Sequence, residues 1–142
     1  LPYIMTNGGA VLNIASIAGF QPAPFFATYG GTKAFLVSWG LALAEELRPF
    51  DIPVLTVCPG PVHTNFFRSA GFDSPPVNKW HGQTPMQVVE WSLHALQKGR
   101  NLIVTGWNNR ILALFSSFVP RRLMGRVSAF VIEKLRMEQF KK

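Results

Sequence analysis

Three side chains with acid–base or hydrogen-bonding chemistry lie close together in this sequence: Ser16, Tyr29 and Lys33. Tyr29 and Lys33 are four positions apart, so on a helix they would lie one above the other on one face. A phenol has an unperturbed pKa of about 10, and an ammonium group within a few ångströms favours the ionised phenol. Ser16 follows an apolar run typical of a strand, so its hydroxyl would stand at a strand end. Together these groups suit proton transfer to a carbonyl or from an alcohol.

The elements that must hold these residues alternate between strands and helices. Residues 10–15, 53–58 and 102–105 are short apolar runs that predict strands, the first two of them buried and parallel. Residues 28–48 predict a long helix that Pro49 ends. This helix is apolar around so much of its circumference that we expect it to be buried on more than one side.

A second helix has a clear start and a clear end in the sequence. Thr84 is a typical cap, Pro85 suits the first helical position, and Gln87 completes a capping box. Gly99 ends this helix. In open α/β sheets, ligands bind at the carboxyl ends of the strands. Ser16 and the turn at residues 59–61 both follow strands, so we expect them to converge on one crevice.

The spacing of these residues resembles that of the short-chain dehydrogenase/reductase family. That family carries a Tyr-x-x-x-Lys motif and a catalytic serine about thirteen residues before the tyrosine, and Ser16 precedes Tyr29 by thirteen positions here. Residues 11–19 resemble the family's fifth strand. Residues 58–64, which read Cys-Pro-Gly-Pro-Val-His-Thr, resemble the Pro-Gly cofactor loop that follows its sixth strand. The resemblance covers residues 1–106.

The resemblance implies an NAD(P)-dependent oxidoreductase that interconverts a carbonyl and an alcohol by hydride transfer. It implies catalytic roles for Ser16, Tyr29 and Lys33, with Tyr29 as the acid and base. The cofactor would be NADP or NAD, with NADP preferred, although the sequence holds no determinant that separates them. The cofactor-binding residues implied are Tyr29, Lys33, Pro59, Gly60, Val62 and Thr64.

The family's glycine-rich phosphate-binding turn does not occur among these 142 residues. We therefore expect residues 1–106 to form the C-terminal half of a Rossmann-type reductase domain. Its fold class would be α/β, a doubly wound parallel sheet reduced to about three strands with flanking helices. We expect residues 107–142 to add a basic amphipathic helical extension. The fragment alone is expected to be inactive. The alternative hypothesis to an oxidoreductase is a truncated binding or regulatory protein without catalysis.

The net charge of +7 is concentrated near the C-terminus. Residues 1–109 hold six Lys/Arg and five Asp/Glu, whereas residues 110–142 hold eight and two. Two helices hinged at Pro120 are expected there, and the second carries an apolar stripe. This stripe could pack on the fold or on a partner subunit, lie on an anionic membrane surface, or bind nucleic acid. Nucleic acid is disfavoured because no binding motif accompanies the stripe. The stripe comprises Leu123, Val127, Phe130, Val131 and Leu135.

Several sequence features limit the partners and the compartment. Cys58 is the only cysteine, which excludes an internal disulfide, fits a cytoplasmic location and suggests an inert core thiol. His81 and His94 lack Cys or acidic partners at metal-binding spacing, and His63 is expected to be a surface or pocket-lining residue rather than a second acid or base. By resemblance, the helix over 29–48 implies a homo-oligomer. A serine hydrolase is disfavoured because Ser16 lacks the G-x-S-x-G context.

The substrate is expected to be a small carbonyl or alcohol compound. The loop over 16–27 holds Phe20, Phe25 and Phe26, which could wall a substrate pocket or simply pack. By resemblance, residues 65–83 form a substrate-binding lid. The aromatic residues of that segment suggest an apolar substrate, or else they anchor the lid to the core.

Overall fold

The computed structural model describes residues 2–69 and 82–139 of the chain, which form strands and helices in alternation. Three short strands are separated by helices, and two further helices follow the last strand. Single 3-10 turns occupy Ile17–Gly19 and Arg48–Phe50. The strands are β1 (Val11–Ile14), β2 (Val54–Cys58) and β3 (Leu102–Val104), and the helices are α1 (Pro2–Asn7), α2 (Ala27–Leu47), α3 (Phe66–Ser69), α4 (Pro85–Gln97), α5 (Trp107–Phe118) and α6 (Arg121–Gln139).

The three strands form a parallel sheet in the order β1-β2-β3. Val11 pairs with Val54 at the start of β1, and Thr56 pairs with Leu102 at the start of β3. All three strands therefore end at the same edge of the sheet. The predicted Rossmann-like α/β class is confirmed.

Two small apolar clusters hold the helices on opposite faces of the central strand. On one face, Ala44 and Leu47 of α2 pack with Val54. On the other, Ala95 of α4 packs with Leu55 and Val57. Every residue of β2 is buried, as its apolar run predicted. The start of α4 is also confirmed, because Thr84 and Gln87 form a reciprocal capping box.

Two predictions about burial are wrong for the described residues. Leu12 and Ile14 in β1 are 42% and 46% exposed. They lie on the same face of the sheet as Leu55 and Val57, where α4 packs on β2 and leaves β1 largely uncovered. Helix α2 buries one side, through small residues such as Gly40 and Ala44, and leaves Phe35 exposed on the other. Apolar character indicated that these elements could be buried, but not which neighbour would cover them.

The remaining helices follow the sequence closely. Val119 and Pro120 separate α5 from α6, as the predicted hinge required. No helix among residues 2–69 and 82–139 is long and apolar enough to span a bilayer. Most of the predicted substrate lid, residues 70–81, lies outside the described residues.

Candidate active site

Ser16 lies two residues beyond β1, at the carboxyl edge of the sheet. The N–H groups of Ala15 and Ile17 donate to the carbonyls of Val57 and Pro59, so the chain stays beside the end of β2. The buried Ser16 hydroxyl oxygen accepts a hydrogen bond from the Ala18 N–H at 3.2 Å and donates to the Pro59 carbonyl at 3.5 Å. Ser16 therefore links the end of β1 to the Pro-Gly loop.

The turn that Ser16 begins lies directly against α2. A Cβ built on Gly19 would come within 2.8 Å of the Lys33 carbonyl oxygen. A Cβ on Gly30 would come within 3.0 Å of Ala23, in the loop that follows the turn. The two glycines permit a close approach of the backbones that larger residues would prevent. This approach brings the Ser16 turn beside the segment that carries Tyr29 and Lys33.

Lys33 and Tyr29 lie on one face of α2, as their spacing predicted. The Lys33 ammonium lies over the Tyr29 ring, with Nζ 5.7 Å from the ring centroid. Nζ also donates a 2.9 Å hydrogen bond to the carbonyl of Ile14, the last residue of β1. This bond fixes the charge at the strand end, two residues from Ser16. Lys33 and Tyr29 therefore lie beside the end of β1, and Ser16 follows that strand by two residues. Among the described residues, no hydrogen bond joins the Ser16 hydroxyl to Tyr29.

The segment after the Pro-Gly loop returns to Tyr29. The rings of Tyr29 and Phe66 contact each other at a centroid distance of 5.3 Å and an angle of 47°. The Thr64 hydroxyl oxygen accepts from the Phe66 N–H at 3.3 Å, which starts the short helix α3. Thr64, one of the residues expected to bind cofactor, therefore lies close along the chain to a residue that contacts the candidate acid.

The Pro-Gly loop is fixed by residues that the sequence analysis missed. A Cβ on Gly60 would overlap the side-chain amide of Asn109, which donates to the Thr105 carbonyl at 2.7 Å. Val62 bridges to Gln83, and the buried Thr105 hydroxyl donates to the Gln83 amide oxygen at 2.6 Å. Gly60 is thus required at least for packing against α5. No sequence pattern indicated these contacts, because they join residues far apart in the chain.

The position of α2 depends on a second set of polar contacts within the sheet. The Asn13 amide donates to the Leu36 carbonyl at 2.9 Å and lies 3.5 Å from the Thr56 hydroxyl. A Cβ on Gly40 would overlap that hydroxyl. Helix α2 therefore lies very close to β1 and β2. This contact fixes the position of α2 on the sheet, and with it the position of Tyr29 and Lys33 relative to the strand ends.

Cys58 ends β2 and is fully buried. Burial raises the pKa of the Cys58 thiol to about 12, and the Ser16 backbone N–H and the Lys33 charge oppose that rise only in part. The thiol stays protonated at neutral pH, as expected of an inert core cysteine. Cys58 therefore adds no nucleophile to the site.

Two cavities in the described structure lie beside this site rather than at it. One, of about 270 Å³, lies between the Pro-Gly loop and α5, with Pro61, Gln83 and Trp107 in its lining. The other, of about 600 Å³, lies between α4, β3 and α5. Ser16, Tyr29 and Lys33 line neither of these two cavities. Within those residues, no group of His, Cys, Asp and Glu could hold a metal ion.

Comparison with known proteins links this arrangement to one family. Residues 1–74, just over half of the chain, match the family model described as short chain dehydrogenase. A 66-residue part of the chain is 43% identical to the short-chain dehydrogenase fogD of Aspergillus ruber, and a 49-residue part is 53% identical to a very-long-chain 3-oxoacyl-CoA reductase of Pyrenophora tritici-repentis. The matched parts cover 46% and 34% of this chain, but only 23% and 14% of those relatives.

The fold is also similar to that of a solved structure. A short chain dehydrogenase from Burkholderia cenocepacia, in complex with NADP, is 26% identical and superposes with a TM-score of 0.71. The superposition covers 88% of this chain and 49% of that protein. The similarity thus extends through most of this chain, and the chain spans about half of the other protein.

Proposed function

This chain belongs to the short chain dehydrogenase family, and on that premise we propose that it serves an NAD(P)-dependent oxidoreductase that interconverts a carbonyl compound and an alcohol. The observation that carries the proposal is the Lys33 ammonium, which lies over the Tyr29 ring and is bonded to the last carbonyl of β1. A phenol, a fixed cation and a hydroxyl at one sheet edge form a set of groups suited to proton transfer at an alcohol oxygen.

Tyr29 is the proposed acid and base. In the reducing direction its hydroxyl gives a proton to the carbonyl oxygen as that oxygen gains negative charge, and in the oxidising direction the phenolate takes the alcohol proton. Its contact with Phe66 supports a fixed ring orientation. Proton transfer needs such a fixed donor, because it occurs only over hydrogen-bond distances.

Lys33 is the proposed electrostatic partner of Tyr29. Its positive charge stabilises negative charge on the phenol oxygen during the transfer. The hydrogen bond to the Ile14 carbonyl limits the rotamers of the flexible Lys33 side chain. This side chain therefore loses little further conformational entropy when substrate binds. Ser16 is the proposed hydrogen-bond donor to the substrate oxygen, a role for which its hydroxyl would turn away from the distant Pro59 carbonyl.

The residues around this edge fit the nicotinamide end of a dinucleotide. Lys33 offers a cation and Thr64 an exposed hydroxyl, and backbone groups of the loop from Pro59 to Val62 lie at the same edge. When bound, a nicotinamide dinucleotide donates hydride to the carbonyl carbon or accepts it from the alcohol carbon. NADP is the proposed form, supported by its presence in the Burkholderia protein.

The substrate is proposed to be a small carbonyl or alcohol compound with an apolar body. One of the relatives is named for reduction of very-long-chain 3-oxoacyl-CoA. In this chain Phe25 is exposed in the loop between Ser16 and α2. An aromatic side chain on that loop could contact an apolar chain whose carbonyl lies near Tyr29.

The test is a Tyr29→Phe variant of the complete protein. We expect the turnover of NADPH with a reactive ketone to fall by about 10²–10⁴-fold, because the proton donor is removed while the ring remains. Tyr3→Phe is the matched control, since Tyr3 is the other tyrosine of the chain and is exposed on α1. Near-normal turnover in Tyr29→Phe would refute the assignment.

A binding or regulatory protein without catalysis is the second candidate. Such a protein would keep the sheet edge around Tyr29 as a binding surface and transfer no hydride. Titration of NADPH into the protein, followed by NADPH fluorescence, distinguishes the oxidoreductase from the binding or regulatory protein. We expect the complete protein to bind and the 142 residues alone to bind weakly or not at all. A complete protein that binds no dinucleotide would favour the regulatory reading.

A further inference from the structure

Helix α5 carries a row of large apolar side chains that the described fold leaves uncovered. They occupy the side opposite to Ala113 and Ser116, which are the buried residues of this helix. Their exposed fractions run from 53% to 78%. The row consists of Trp107, Ile111, Leu114, Phe115 and Phe118.

Helix α6 continues this pattern beyond Pro120. Among residues 121–133, Met124 and Ser128 are buried, whereas Leu123, Val127 and Phe130 are exposed at a spacing of four and three. We call these three residues and the row on α5 the α5–α6 surface. Exposed apolar groups of this extent mark interaction sites rather than ordinary protein surface.

Between Trp107 and Phe130 the charged residues of the α5–α6 surface are all basic, and Glu133, three positions beyond Phe130, lies at its end. Residues 91–132 contain six Lys/Arg and no Asp/Glu. Arg126 is three positions from Leu123 and four from Phe130, so it borders both side chains. Arg121 and Arg122 are exposed at the start of α6. In the described part of the chain, the ion pair formed is Arg48 with Glu45, so these arginines are not neutralised there by a carboxylate.

We propose that the α5–α6 surface docks on an anionic lipid bilayer. Apolar side chains bordered by arginine suit the boundary between acyl chains and anionic headgroups. Trp107 at the start of α5 adds the residue type that prefers this boundary. The interaction would be peripheral, with helices lying on the membrane rather than crossing it. This inference does not depend on the proposed catalysis.

A second copy of the chain suits this surface less well. In a symmetric dimer the same patch faces itself, so Arg121, Arg122 and Arg126 of one copy would meet those of the other, and they outnumber Glu133 at the end of the patch. Like charges in such a contact oppose association. A bilayer containing acidic phospholipids instead supplies both the negative charge and the apolar layer that the surface lacks.

The experiment is vesicle sedimentation with the complete protein and two lipid compositions. Vesicles of phosphatidylcholine alone are compared with vesicles of phosphatidylcholine and phosphatidylglycerol. We expect binding to the anionic vesicles, weaker binding in high salt because screening shortens the reach of the arginines, and little binding to phosphatidylcholine alone. The contribution of Trp107 to the emission, taken as the difference between the native protein and Trp107→Phe because the chain holds four tryptophans, should shift to the blue with the anionic vesicles.

Variants with matched controls assign the binding to this surface. Phe118→Ser should lower the partition coefficient at least about tenfold, whereas Phe50→Ser, at an exposed phenylalanine next to the far end of α2, should leave it unchanged. Arg122→Gln with Arg126→Gln should lower it about 25-fold, at about fivefold per arginine. Arg122→Lys with Arg126→Lys keeps both charges and should retain binding.

Several results would overturn the proposal. Equal binding to both vesicle types, or anionic binding unaffected by the Phe118 and arginine variants, would exclude this surface as a lipid site. Trp107 emission that is already blue-shifted and resistant to acrylamide without lipid would show that protein covers the surface. Self-association lost on Phe118→Ser would identify a second copy as the occupant, and DNA binding lost in the same variant would identify nucleic acid.

Discussion

Cys58 shows how a single residue can lie next to the candidate site and take no part in its chemistry. Its thiol is within reach of the Ser16 backbone N–H and the Lys33 charge, both of which favour a thiolate. Burial outweighs them, because removing the thiol from water disfavours its charged form. The outcome is a protonated side chain that packs in the sheet, and its raised pKa can be detected in the stability of the protein.

The Cys58 thiol should make the folded state lose stability in alkali. The thiol has a pKa of about 12 in the folded protein against a model value of 9.0, so the unfolded chain releases this proton first as pH rises. Its contribution is fully present below about pH 9 and is lost as pH rises toward 12. We expect the free energy of unfolding, measured by urea titration, to fall more steeply in this range for the native protein than for Cys58→Ala, by at most about 1.4 kcal/mol per pH unit. Parallel curves would contradict the buried thiol.

At the residue scale, the sequence predicted that Tyr29 and Lys33 lie together, but not the residues that position them. Tyr29 and Lys33 could be paired because the helical repeat relates residues four apart. Asn13 and Thr56 lie 43 residues apart, and Thr105 and Gln83 lie 22 apart. No local periodicity relates such pairs, so contacts that depend on the packing of separate elements required the structure.

At the scale of elements, the decisive contact is the close approach of α2 to the sheet. Gly40 lies where a Cβ would overlap the Thr56 hydroxyl, and Asn13 bonds the helix one turn earlier at Leu36. Elements with local signals, such as the capping box of Thr84 and Gln87, were predicted from the sequence. The side on which α2 would be buried was not, because its small residues are informative only once the strand opposite them is known.

Gly40→Ala should destabilise the protein by about 1–3 kcal/mol, because the added methyl group must displace Thr56 or lift the helix. Gly31→Ala in the same helix is the matched control. A Cβ at Gly31 would meet nothing within 4 Å, so this change should stabilise the protein by roughly 0.5–1 kcal/mol through helix propensity alone. Urea unfolding of both variants measures the difference. Equal effects at the two positions would show that α2 does not lie so close to the sheet.

At the scale of the whole molecule, the described structure has exposed apolar surfaces of two kinds. The α5–α6 surface is bordered by arginines. The outer side of α2 carries Phe35 and Trp39, one helical turn apart, and has acidic residues at its C-terminal end in Glu45 and Glu46. The unequal charge therefore distinguishes two surfaces that hydropathy alone would treat alike. It suggests a lipid partner for the basic one and a protein partner for the other.

The outer side of α2 should pair with a second copy of the chain. Phe35 and Trp39 face away from the sheet. In a symmetric dimer the interface would contain both residues from each of the two copies. Phe35→Glu would remove two buried aromatic rings and introduce two carboxylates, so we expect the dimer dissociation constant to rise on the order of 100-fold or more. Light scattering of the complete protein over a range of concentrations measures this change. Phe118→Ser serves as the control, since it alters an exposed ring on α5 and should leave the dimer intact. A native protein that stays monomeric at high concentration, or a dimer that survives Phe35→Glu and dissociates with Phe118→Ser, would move the interface away from α2.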